Sequence, residues 1–167
     1  MTQQSLQTTT APDKIVMIRT AHQTAEGHPL CFGFSSRQVV EVRMEVKKRP
    51  VPFADSSLLG ICPWNNMILP VIDLEMMLGQ VAETGTVDVR YLILRTGTPQ
   101  KRGQTKLYHA VVKVVARLSI IAAEDVEPSI VPEGVDPQLI RGAYHIQDKV
   151  LVVPDLLQIL HVEHGHS

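Results

Sequence analysis

A gapless internal repeat constrains this chain more than any other feature. Residues 58–78, "LLGICPWNNMILPVIDLEMML", lie over residues 140–160, "IRGAYHIQDKVLVVPDLLQIL". Gly60 falls on Gly142, Leu69 on Leu151, Val71 on Val153, Asp73 on Asp155, Leu74 on Leu156 and Leu78 on Leu160. The polar pair Asn65-Asn66 falls on Gln147-Asp148. Each copy reads as strand, two-residue turn, strand, cap and short helix. Asn-Asn suits a two-residue hairpin because Asn tolerates positive φ.

The repeat bears on two carboxylates, each at the end of an apolar run. Asp73 precedes "LEMML" and Asp155 precedes "LLQIL". An aspartate there can accept from the free N–H groups of a helix's first turn. Glu75 in that turn suits the helix dipole, and Gly79 sits where a C-terminal cap belongs. The competing reading is an acid/base pair. Repetition favours the caps, since each copy needs its own. No nucleophile motif, Gly-rich phosphate loop or metal signature accompanies them. The expectation is a non-catalytic chain without cofactor or bound metal.

Strand-like segments dominate the rest. Val and Ile crowd "RQVVEVRMEV" (37–46), "VRYLILR" (89–95) and "LYHAVVKVVARLSI" (107–120), which suits pleated surfaces better than helices. Gly, Pro and charges in 96–106 predict a long hairpin loop, and the prolines of 127–137 an irregular connection. The chain is 44% hydrophobic and 20% charged, enough apolar residue for a real core. A formal net charge of −1 without a dense basic stretch argues against a nucleic-acid binder. No apolar run reaches membrane-spanning length. Cys31 and Cys62 have no metal-type spacing and fit a reducing cytoplasm. The polar residues 1–13 read as a disordered tail, 14–160 as a single domain and 161–167 as a His-containing tail.

The stretch with Gly60, Pro70, Val71, Ile72, Asp73, Leu74, Leu78 and Gly79 resembles the signature of the CheW-like family: a Gly-containing hairpin, then Pro-Val-Ile-Asp-Leu and Leu-Gly. "VVEVRMEVKKRPVP" is similar to the family's Val-x-Glu-Val strand and its Pro-containing link. "LIRGAYHIQDKVLVVPDLLQIL" is similar to its closing hairpin and helix. The resemblance covers about 31–160. It implies a mainly β fold of two small five-stranded SH3-like β-barrel subdomains packed around a shared core, with short helices. It implies a non-catalytic cytoplasmic adaptor in chemotaxis or pilus motility. Its partners would be the regulatory domain of a CheA-type histidine kinase and the cytoplasmic tip of a methyl-accepting chemoreceptor, in membrane-associated arrays. Val39, Glu41 and Gly60 match partner-contacting positions of the family. The chain departs from the pattern at the hairpin tip, where Pro63-Trp64-Asn65-Asn66 replaces Asn-Leu-Arg-Gly and Asn65 replaces the arginine. It departs again at His109 (family Gly), Lys113 (family Asp) and Pro154 (family apolar).

Several residues keep two readings. Glu41 faces away from Val40 and Val42, on a solvated face or in a binding role. Trp64 anchors a partner or packs into its own barrel. Asn65 and Asn66 serve the turn or act as ligands, and Asn65 joins Val39, Glu41, Gly60 and Trp64 as a candidate protein-binding residue. His161, His164 and His166 mark a frayed polar end or an adventitious metal site. Lys47, Lys48 and Arg49 join Lys101, Arg102 and Lys106 in one basic patch, or simply confer solubility. A scaffold with a non-standard partner and a small-ligand or metal-binding β-barrel remain the alternative functions.

Overall fold

The structure, a computed structural model, describes residues 13–79, 88–115 and 117–164. It is mainly β, with eleven strands in two sheets and few short helices. The first sheet has the order β8-β1-β2-β11-β10-β9, formed by β8 (Leu118–Ala122), β1 (Lys14–Gln23), β2 (Pro29–Ser35), β11 (Lys149–Pro154), β10 (Ile140–Ile146) and β9 (Glu127–Ser129). The second has the order β3-β6-β7-β5-β4, formed by β3 (Val39–Arg43), β6 (Val89–Pro99), β7 (Thr105–Val115), β5 (Met67–Asp73) and β4 (Leu58–Trp64). Helices α1 (Leu74–Met77) and α2 (Leu156–His164) follow β5 and β11.

The repeat is a structural repeat. In one copy Trp64 pairs with Met67 and Gly60 with Val71, with a register shift between Leu58 and Gly60. In the other Ile146 pairs with Lys149 and Gly142 with Val153, with the shift between Ile140 and Gly142. Asn65 and Asn66 turn at φ 45° and 59°, and Gln147 at 53°. Beyond the hairpin, β5 lies parallel to β7 and β11 parallel to β2. The antiparallel pairs β6–β7 and β3–β6 correspond to β1–β2 and β8–β1. Even the sixth strand has a counterpart. β9 pairs Ser129 with Ala143, and the position equivalent to Ala143 is Ile61, which bridges Arg49. In both units the chain leaving the first edge strand pairs back onto the opposite edge, as in two SH3-like subdomains.

Three apolar clusters follow from this doubling. Cys62, Leu69, Val71, Ile93 and Val111 fill the second sheet's concave side. Met17, Cys31, Ile146 and Leu151 fill the first. The largest, including Phe32, Phe34, Ile72, Leu92, Val112, Leu156 and Ile159, lies between the units. Both helices are started by their aspartates. The Asp73 carboxylate accepts from Met76 N at 3.3 Å. Asp155 accepts from Leu157 N at 3.1 Å and Gln158 N at 3.3 Å. Gly79 follows α1 at φ +90°, its N–H donating to Met76 O.

The patterning did not mark β1 and β2. β2 is central and buried on both faces, so "PLCFGFS" lacks alternation. The segment 107–120 is two strands in two sheets, because the chain crosses between units after Val115. The loop expected over 96–106 is mostly ladder. Pairing runs from Thr96↔Tyr108 to Pro99↔Thr105, and the turn occupies Lys101–Gly103 with Arg102 at φ 69°. The irregular stretch 127–137 contains β9. α2 runs past residue 160, where the tail was expected to begin. Residues 1–12 and 165–167 lie outside the described residues.

Candidate functional site

β3 and β4 are the two edges of the second sheet, and side chains join them. A bulge at Val40 shifts the β3–β6 register between Val39 and Glu41. Val39 therefore packs against the core between the units. Glu41 turns to the other side, opposite Ile93 of the concave cluster. Its Oε1 accepts from Arg43 Nε at 2.6 Å, and its Oε2 from Trp64 Nε1 at 3.1 Å. Those two hydrogen bonds, Arg43's first, hold the Glu41 carboxyl below its ordinary value. The Trp64 ring lies over His109, centroids 5.4 Å apart and tilted 40°. Burial, with some help from Arg95, pushes the His109 imidazole down, which favours a neutral ring against the indole.

The structure thus unites Glu41 and Trp64, with Val39 two positions along β3. Glu41 lies on a partly solvated side of β3. Its side chain is 39% exposed and engaged at both oxygens, whereas Val40 and Val42 face solvent. Trp64 packs against the concave cluster and remains partly exposed. Asn65 is exposed at the turn beside it. Gly60 lies at the far end of β4, buried, at φ +150°. A Cβ there would run into the Arg49 carbonyl oxygen, so Gly60 admits the Arg49–Ile61 bridge.

Sequence reasoning missed Arg43 and His109 as members of this cluster. Both signals were present. Arg43 is two residues from Glu41 on one strand face, and His109 is two residues from the inward Val111. It also missed a polar junction beneath α1. Lys113 Nζ lies 3.3 Å from the second oxygen of Asp73, and His22 Nε2 lies 3.2 Å from Glu75 Oε2. The unusual Lys113 thus pairs with the cap aspartate. Burial is the largest cause pushing the Glu75 carboxyl up, and Asp73 adds to it, against His22 and Lys113.

The basic patch does not form as one surface. Lys48 sits over Tyr91 near the start of β6, its Nζ 3.2 Å from the phenol oxygen. Lys101 and Arg102 follow the other end of β6, roughly 27 Å away at the rise of a strand. Among the described residues no cluster of His, Cys, Asp or Glu is placed to hold a metal ion. His166 lies outside them, and α2 carries His161 and His164 at its end. Cys31 and Cys62 are free and buried. Among the described residues no helix is long and apolar enough to cross a membrane.

The model of the CheW-like domain matches residues 14–164, nearly the whole chain. The chain belongs to the CheW-like family. A solved structure, that of the scaffolding protein TtCheW from Thermoanaerobacter tengcongensis, is similar at a TM-score of 0.62 and 24% identity, over 87% of this chain and 90% of that one. That likeness establishes the fold. No curated protein matches the chain significantly. Of the three positions that the resemblance marks in this CheW-like chain, only Glu41 belongs to the cluster with Trp64, while Val39 lies on the other side of β3 and Gly60 at the far end of β4.

Proposed function

We propose that the chain is a non-catalytic cytoplasmic scaffold of a chemosensory pathway. It would couple the regulatory domain of a CheA-type histidine kinase to the cytoplasmic tip of a chemoreceptor. The observation that carries this reading is the joined face of β3 and β4. There a partly exposed indole stands beside a carboxylate held in place by two donors. A partly exposed aromatic side chain held in a fixed position suits protein association. The aspartates at the strand ends cap the helices, which supports a structural over an acid/base role for them.

A second reading concerns the partner. The hairpin tip holds Asn65 where the resemblance has arginine, and Arg43 is bound to Glu41 within the chain. The face therefore offers little free charge and favours a partner recognised by apolar contact, a divergent kinase or receptor. Affinity for the kinase domain and receptor tip of the native cell tests both. Binding to neither, with the fold intact, would end the scaffold reading.

A further inference from the structure

Of the four sheet edges, three carry a device that discourages strand addition. β3 has the bulge at Val40 and the charges of Glu41 and Arg43. β4 has Pro63 and is bridged by Arg49. β9 has only three residues, including Glu127 and Pro128. β8 has none of these. Its five residues, Leu-Ser-Ile-Ile-Ala, include no charge, proline or glycine. An unprotected apolar edge pairs readily with another strand.

The direction of its backbone groups follows from the neighbouring bonds. Arg19 N donates to Arg117 O at 3.1 Å, and Ala123 N to Asp13 O at 3.0 Å. With the register running from Lys14↔Ala122 to Ile18↔Leu118, the N–H and C=O of Ser119 and Ile121 point to β1. Those of Leu118, Ile120 and Ala122 point outward, where no described strand receives them. Ile120 is 68% exposed.

We propose that β8 pairs antiparallel with β8 of a second copy of this chain, about a two-fold axis at Ile120. That register sets Ile120 opposite Ile120 and Leu118 opposite Ala122, the positions with outward groups, so each pair exchanges both hydrogen bonds. The flanking charges select this occupant. Arg117 of one copy falls against 123–125 of the other, beside exposed Glu124 and Asp125. None of the three forms an ion pair within the described chain. A parallel arrangement would set Arg117 against Arg117. One short strand buries little area, so the dimer is a weak one.

Sedimentation equilibrium of the full chain up to about 1 mM tests this. A dimer that grows with concentration and weakens with salt is expected. Ile120→Lys should weaken it at least tenfold, with folding checked by Trp64 fluorescence. Ile120→Cys should form a disulfide dimer on oxidation, while Leu118→Cys should not. In this register two residues at position 118 stand roughly 13 Å apart. Cys31 and Cys62 are buried and do not compete. Arg117→Glu with Glu124→Arg should associate better than either alone. A monomer at every concentration overturns the proposal, as does equal cross-linking of the two cysteine variants. Association unchanged by Ile120→Lys, or strand addition by another protein in its place, overturns it too.

Discussion

The indole of Trp64 donates to the carboxylate of Glu41 across the gap between the two edge strands of one sheet, at 3.1 Å. One hydrogen bond thus ties β3 to β4, strands that share no ladder. Trp64 is the only tryptophan, so its fluorescence reports this contact directly. Glu41 is held below its ordinary value by Arg43 and Trp64. A carboxylate depressed in this way contributes stability above its unfolded pKa and loses it as pH falls through the folded value. The change in Trp64 emission that depends on Glu41 should therefore come at more acid pH than the usual carboxylate range, separate from any step due to the neighbouring His109 imidazole. Glu41→Gln should remove that transition. An acid transition of the same midpoint in Glu41→Gln would assign the signal to another group.

The same pair carries the binding prediction. Glu41→Lys reverses the charge beneath Trp64, and Trp64→Ala removes the aromatic surface. Each should weaken affinity for the cognate partner at least tenfold if the cluster is central to the interface. Asn65→Arg should broaden recognition towards partners of standard chemosensory type, through added donors for carboxylates. Titrations at two salt concentrations, with thermal melts as the folding control, decide it. Parental affinity in both folded variants would remove this face from the interface.

Gly60 and Gly142 occupy equivalent places in the repeat but differ in what surrounds them. At Gly60 a side chain meets the Arg49 backbone at positive φ, whereas at Gly142 it meets the movable ring of Tyr144. Gly60→Ala should cost about 2–4 kcal/mol and Gly142→Ala less than about 1.5 kcal/mol. Urea denaturation measures both. Equal losses would deny the Arg49 bridge its close approach.

Asp155→Ala should cost about 0.5–2 kcal/mol, and Asp155→Ser should regain most of it, because Ser is also a good cap. The nearby Arg141 is 3.8 Å away and largely exposed, so its loss should matter little. No recovery with Ser would mean that the carboxylate itself is required.

Glu75 tests the polar junction. Its carboxyl is pushed up chiefly by burial, so the ionised form costs stability in the folded state. For a carboxyl raised on folding, that cost is full above the folded pKa and relieved as pH falls through it. Glu75→Gln should therefore stabilise the chain at pH 8 relative to the parent, with the gain shrinking towards pH 4. Melting temperatures of both proteins at the two pH values settle the sign. A loss at pH 8 that grows with pH would show that the His22 contact outweighs burial.

What was legible in the sequence was local in character. The paired hairpins, the turn residues and the caps each follow from a few neighbouring residues, and Asp73 and Asp155 act as their spacing implies. Strands buried on both faces were harder to see, because β2 shows no alternation. The crossing between units after Val115 was hidden inside one apolar run. At the candidate site Glu41 and Trp64 were marked individually, but their contact depends on how far the sheet curls. Curl is a property of the assembled ladder and not of either segment. The basic patch failed for the same reason: closeness in composition gave no measure of the length of β6.

The second sheet uses one continuous run of chain, β3 to β7, while the first takes β1 and β2 from one end of the domain and β8 to β11 from the other. The second unit is thus inserted into the first. During synthesis β1 and β2 emerge early yet must wait for β11, the parallel neighbour of β2, until nearly the whole domain has been made. Every partly made chain exposes apolar Phe32 and Phe34 without the strands and helix that cover them. Only a chain synthesised through α2 can close this seam, so the architecture ties a finished fold to a finished domain.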